Sequence, residues 1–109
     1  MTTKKGKKRR SSEYKGFLLK QLRDSQAAAE YLTAAFEEGE DVFLLAVKDV
    51  VEARGGIGAL AKATSLNREG LYAMLSRKGN PRLSSITSIL AELGFHVKFL
   101  PDPSGKKAA

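Results

Sequence analysis

Between residues 14 and 93 the apolar side chains recur almost without break at helical spacing, and this one pattern restricts the chain to an α-helical fold. Tyr14, Phe17, Leu18 and Leu22 make the stripe of a short first helix. Asp24 or Ser25 caps a second, with Ala28, Tyr31, Leu32, Ala35 and Phe36 on one face and Gly39 at its end. Asp41 caps a third, which turns Phe43, Leu44, Val47, Val50 and Val51 inward and Lys48, Asp49 and Glu52 outward, until Gly55 and Gly56 stop it. Residues 57–64 form a short helix, Ser65 and Leu66 a turn, and Asn67 caps a second short helix running to Arg77. Gly79, Asn80 and Pro81 break the chain. Ser84 then opens a last helix with Ile86, Ile89, Leu90 and Leu93 inward, closed by Gly94 in the left-handed conformation.

Only the following segment changes period. Phe95, Val97 and Phe99 alternate with His96, Lys98 and Leu100, the signature of one β-strand ahead of Pro101. A single strand completes no sheet, so it either pairs with another copy of the chain, the reading we favour, or packs as an extended tail on the helices. Residues 1–12 carry no apolar residue after Met1 and read as a disordered basic arm. The expected fold is therefore all-α, a compact domain of five to six helices over residues 13–100 with a short C-terminal β-strand. Its parts are N-terminal helices over 13–53, a helical pair over 57–77, a helix over 83–93 and the strand over 95–100, before a tail of residues 101–109.

A chain of 109 residues supports one such core. The absence of cysteine excludes a disulfide scaffold, a thiolate zinc site and a cysteine nucleophile. A single histidine, His96, leaves metal binding to carboxylates and argues against a Ser/His/Asp triad. No apolar run approaches the roughly 20 residues of a membrane span. The basic N-terminus resembles the start of a signal peptide, but Phe17, Leu18 and Leu19 fall well short of the usual apolar region of about 7–15 residues. The expectation is a cytoplasmic protein with no cofactor, no metal and no enzymatic activity.

The net charge of +7 is unevenly spread. Residues 1–10 hold Lys4, Lys5, Lys7, Lys8, Arg9 and Arg10 and no acid. Residues 13–53 balance to −5, and residues 54–82 reverse to +5 through Arg54, Lys62, Arg68, Arg77, Lys78 and Arg82 against Glu69 alone. A charge run is often only a solvated face. Two basic segments flanking an acidic one suggest two different partners, one of them polyanionic.

The helical pair carries the functional signal. Two short helices joined by a three- or four-residue turn make a helix-turn-helix when the crossing residue is small and set positions are apolar. Ala61 is the small residue, with Leu60 beside it, Leu66 reaching in from the turn, and Leu71, Met74 and Leu75 seating the second helix. The plainer alternative is an ordinary helical hairpin, and the outward face argues against it. That face presents Asn67, Arg68, Glu69, Tyr72, Ala73 and Ser76. Asn pairs with adenine, Arg with guanine and Glu with cytosine in the major groove, and a small side chain admits a thymine methyl. Glu69 is equally accounted for as a first-turn acid favoured by the helix dipole, and Tyr72 as half-buried packing whose hydroxyl also suits a phosphate. The expected base contacts are Asn67, Arg68, Glu69, Tyr72 and Ala73. The expected phosphate contacts are Ser76, Arg77, Lys78, Asn80 and Arg82, which give affinity without sequence information.

With these residues in view, the chain resembles the HigA-like antidotes of bacterial addiction modules, with a lambda-repressor-like (XRE-type) helix-turn-helix. The resemblance rests on AAAEYLTAAFEEGEDVFLLAVKDVVEARGG, LAKATSLNREGLYAMLSRKGNPRLSSI and LGFHVKF, and spans all but the two tails. It implies an antitoxin that binds DNA, neutralises a small RelE/ParE-like toxin and represses its own operon. Ser65 stands where Gly is usual and Gly70 where Ser is usual; Gly inside a helix costs roughly 1 kcal/mol relative to Ala. The basic arm lies outside the family pattern.

Other signals are weaker. Gly56-Ile57-Gly58 followed by Ala61 spells a dinucleotide fingerprint, but that loop must follow a strand and here follows a helix. Glu37, Glu38, Glu40 and Asp41 cluster where one helix ends and the next begins, as acids commonly do. The competing functions are a stand-alone transcriptional regulator without a toxin, and an RNA- or membrane-surface binder working through the arm. The acidic residues 13–53 favour an antitoxin, because toxins of the implied type are expected to be basic. Toxin contact is expected on residues 14–40. The DNA-bound form is expected to be a homodimer on an inverted-repeat operator, paired through Phe95, Val97 and Phe99.

Overall fold

The computed structural model describes residues 2–76 and 80–105, with side chains from Ser12 onward. Among these residues the chain forms six helices: α1 (Thr2–Gln21), α2 (Ser25–Glu38), α3 (Glu40–Ala53), α4 (Gly56–Thr64), α5 (Arg68–Met74) and α6 (Leu83–Glu92). Helix α3 is central, packing on α1, α2 and α4, while α4 also meets α5 and α6. The core is wholly apolar, built from Leu22 after α1, Ala28, Leu32 and Ala35 of α2, Leu44, Val47, Val50 and Val51 of α3, and Ile57, Leu60, Leu71, Leu75, Ile89 and Leu90 beyond.

The helix ends follow local chemistry. Asp24 accepts a hydrogen bond from the Ala27 N–H at 2.9 Å, the cap expected for α2. Asp41 does not cap α3: Gly39 holds that position without a side-chain bond, and Glu40 and Asp41 lie in the first turn, where carboxylates complement the helix dipole. Gly94 (φ 95°) ends α6 with the Gly94 N–H donating to Ala91 O and the Phe95 N–H to Leu90 O, a Schellman closure that needs a left-handed residue. Helix α6 starts at Leu83, one residue before Ser84.

Four further expectations meet a different outcome. Helix α1 begins at Thr2, so residues of the expected arm continue a helix; Lys and Arg propagate helices well. Helix α5 ends at Met74, short of Arg77. The C-terminal β-strand is absent among the described residues: 95–100 form no regular element, because one chain offers this segment no partner strand. Finally Tyr14, Phe17 and Phe36, assigned inward by their spacing, are 69%, 61% and 68% exposed. Neighbouring helices cover these rings only in part: Phe36 meets Phe43 of α3 edge to face and leaves the rest of its ring to water.

Two polar ties cross the helices. The Tyr31 hydroxyl of α2 donates to Asp49 of α3 at 2.6 Å. Burial, then the Asp49 bond and charge, push the Tyr31 phenol well above its ordinary value. Arg54, just past α3, donates to the carbonyls of Leu93 and Arg23 (both 3.3 Å) and to Ser25 Oγ (3.1 Å), with its guanidinium 5.1 Å from the centre of the Phe95 ring. Arg54 therefore joins the α1–α2 corner to the end of α6, its guanidinium committed to these partners from a partly exposed position.

Candidate nucleic-acid interface

Helix α4 and helix α5 are linked by Ser65, Leu66 and Asn67. Thr64 Oγ1 donates to Leu60 O at 2.7 Å and accepts from the Leu66 N–H at 3.4 Å, fixing the start of the turn. Ser65 takes the left-handed conformation (φ 62°), unusual for a residue with a Cβ. Asn67 is the N-cap of α5, its Oδ1 accepting from the Gly70 N–H. A Cβ on Gly70 would stand 3.0 Å from that oxygen. A side chain there would push that oxygen back by a few tenths of an ångström, from a short bond toward the ordinary length.

Leu71 and Leu75 are fully buried and Leu60 nearly so, while Ala61, Leu66 and Met74 are partly buried against the core. This seating turns Arg68, Glu69, Tyr72 and Ala73 to solvent on one side of α5, with Tyr72 about half exposed. None of Arg68, Glu69 and Tyr72 makes a side-chain bond among the described residues. The two remaining polar side chains of this set are partly committed. Asn67 commits one lone pair of Oδ1 to its cap, and the second lone pair and the amide N–H groups remain for another partner. Ser76 spends its hydroxyl proton on Ala73 O at 2.8 Å, so it lacks the donor a phosphate needs. Asn80 and Arg82 are exposed and close to α6, whose first turn is capped by the Arg82 carbonyl. Arg77 and Lys78 lie outside the described residues.

Phe95 packs partly against the core, while Val97 and Phe99 are 54% and 92% exposed. No group of His, Asp and Glu among the described residues could hold a metal ion. None of their helices is long and apolar enough to cross a membrane. Sequence spacing did not single out Arg54, whose guanidinium reaches three segments; its position one residue before the Gly55-Gly56 junction was the available signal.

Fold and surface together define a small all-helical domain that presents a short, polar-faced helix from an apolar core. The chain matches the family described as "Probable addiction module antidote protein" over residues 12–101, and it belongs to that family. An antidote implies a toxin as its counterpart. The match takes in α2 to α6 and the second half of α1, and leaves the basic residues 1–10 outside. Comparison with curated proteins and with solved structures gave no match.

Proposed function

We propose that the protein is a DNA-binding antitoxin of a type II toxin–antitoxin module in the cytoplasm, neutralising a RelE/ParE-like toxin and repressing its own operon through a lambda-repressor-like helix-turn-helix. The observation that carries the DNA half of this reading is the α5 surface: Arg68, Glu69, Tyr72 and Ala73 are exposed together while Leu71 and Leu75 on the opposite side are buried. A helix seated in this way meets the major groove with its N-terminal half. Arg68 reads guanine, Glu69 and Ala73 flank it, and Tyr72 reaches a base or a phosphate. Arg77, Lys78 and Arg82 hold the DNA backbone, with Asn80 and Ser76 as neutral neighbours. A homodimer meeting through Phe95, Val97 and Phe99 would place two α5 helices on an inverted repeat with half-sites about one helical turn apart.

The test is operator binding by fluorescence anisotropy, with DNA taken from upstream of the module. Arg68→Ala is the cleanest variant, since Asn67 also caps α5. It should lose roughly 1–3 kcal/mol of preference for the operator over random duplex. Six phosphate contacts from a dimer give a log–log salt slope of about −5. A slope shallower than about −2, or an Arg68→Ala protein that keeps full operator preference, refutes the docking face. For the antitoxin half, co-expression of the chain with the toxin of its own module should restore growth.

A further inference from the structure

An open groove of about 460 Å³ lies between the α2–α3 corner and the start of α6, lined by Phe36, Phe43, Pro81, Leu83 and Ile86. Its apolar walls are left to water: Leu83 is 78% and Phe36 68% exposed. The two phenylalanines brace one another edge to face, with centroids 5.2 Å apart. Large exposed apolar side chains gathered at one depression mark an interaction site. Glu40 is in the lining itself, and three more carboxylates neighbour it in the chain: Glu37 and Glu38 at the end of α2 and Asp41 at the start of α3. None of them forms an ion pair among the described residues.

The charge selects the occupant. The acidic α2–α3 side repels nucleic acid and anionic lipid, while Arg82 lies between Pro81 and Leu83 on the other side. A second copy of the chain, set against the same groove by two-fold symmetry, would bring like acidic rims face to face. The chain's own basic residues 1–10 have the right sign but no apolar side chain after Met1 to fill the depression. What fits is another protein that offers a bulky apolar side chain flanked by Lys and Arg.

We propose that this groove is the docking site for the toxin of the module, which inserts an apolar anchor between Phe36 and Leu83 while its flanking basic side chains pair with Glu37, Glu38, Glu40 and Asp41. The assignment rests on the antidote reading and narrows it to one corner of the fold. The apolar floor holds the complex together, and the acids steer the encounter.

The test uses the full chain and the toxin encoded in the same module. Wild type, Phe36→Asp, Leu83→Asp, Leu83→Met and the triple variant Glu37→Lys/Glu38→Lys/Glu40→Lys are compared for toxin affinity, association rate and rescue of growth, with circular dichroism melting as a check on folding. Phe36→Asp and Leu83→Asp should each weaken binding about 30-fold or more, the loss typical of a buried anchor. Leu83→Met should retain binding, since it restores an apolar side chain of similar size. The triple variant should associate about tenfold more slowly and lose most of the salt dependence of association. If wild type neutralises the toxin and both aspartate variants do so equally well, the groove is not the site and the antidote reading stands. If wild type neither binds nor neutralises the toxin, the antidote reading fails and the groove assignment with it. If sedimentation shows a dimer that Leu83→Asp dissociates, the groove joins two copies of the chain and the proposal is overturned.

Discussion

Replacing Gly70 by alanine sets helix propensity against the cap of α5, and the balance can be worked from the structure. Alanine in place of glycine gains up to about 1 kcal/mol inside a helix. The new Cβ, however, stands 3.0 Å from Asn67 Oδ1, the atom that accepts the Gly70 N–H. The oxygen must withdraw by a few tenths of an ångström, which takes a 2.5 Å cap bond toward the ordinary N–H···O length of about 2.9 Å and keeps it. Gly70→Ala should therefore stabilise the wild type by about 0.5–1 kcal/mol. Asn67→Ala alone should cost about 1 kcal/mol. With the cap already gone, nothing crowds the new methyl, so adding Gly70→Ala to Asn67→Ala should recover nearly the full ~1 kcal/mol. Urea unfolding of the four proteins gives the coupling directly, expected below about 0.5 kcal/mol. A Gly70→Ala protein less stable than wild type, or a coupling above about 1 kcal/mol, would refute the reasoning and show that the new Cβ breaks the cap.

Three other outcomes follow from the same geometry. Arg54→Lys keeps the charge but loses the fork that reaches Leu93, Arg23 and Ser25, and should destabilise by about 2 kcal/mol, lowering the melting temperature by about 10 °C; a drop under about 3 °C would show that the fork is dispensable. Ser65→Gly relieves a left-handed serine (φ 62°) and should raise stability in urea by about 0.5–1 kcal/mol, less than the full αL strain because glycine frees the unfolded chain. Tyr31→Phe removes the bond to Asp49 and should cost about 1 kcal/mol at neutral pH. Because the folded state raises the Tyr31 phenol above its unfolded value, this contribution is whole below about pH 10 and is lost as pH rises further; a difference between wild type and Tyr31→Phe that stays constant to about pH 11 would refute it.

Periodicity and caps made most of the helical frame legible in the sequence. Asp24, Asn67 and Gly94 act at the ends assigned to them, because each works through a bond to its own neighbours and needs nothing distant. Contacts made over long sequence distances left no such mark. Arg54 reads as one more basic residue until the fold brings residues 23, 25 and 93 within reach of one guanidinium. The alternation of 95–100 was plain, but a strand is a relation between two segments, and one chain supplies only one. In the candidate interface, spacing put Asn67 and Ser76 on the outward face without revealing that the backbone of α5 claims their side chains first.

The same rule that found the core misassigned Phe36, and the reason bears on where a partner binds. Spacing identifies the face of a helix that is apolar, and not what covers it. Along α2 the stripe Ala28, Leu32 and Ala35 is buried, whereas Phe36 in the last turn is mostly exposed because the chain turns at Gly39 into α3 and no other helix closes over it. A residue that is apolar by pattern and uncovered in the single chain is where an intermolecular contact adds the most burial, at about 25 cal/mol per Å² of apolar surface removed from water. Leu83, at the opposite side of the groove, satisfies the same condition. Arg68 and Tyr72 on α5 satisfy the complementary one, being polar, uncovered and free of internal bonds. The two surfaces therefore differ in chemistry as well as in place, one suited to an apolar anchor with basic neighbours and the other to a polyanion. Residues 80–83 bear on both, since Asn80 lines the groove and Arg82 is a candidate phosphate contact. Arg68 stands on α5 and Phe36 on α2, so the effects of substituting them on DNA and on the toxin should separate, while changes at Asn80 should affect both.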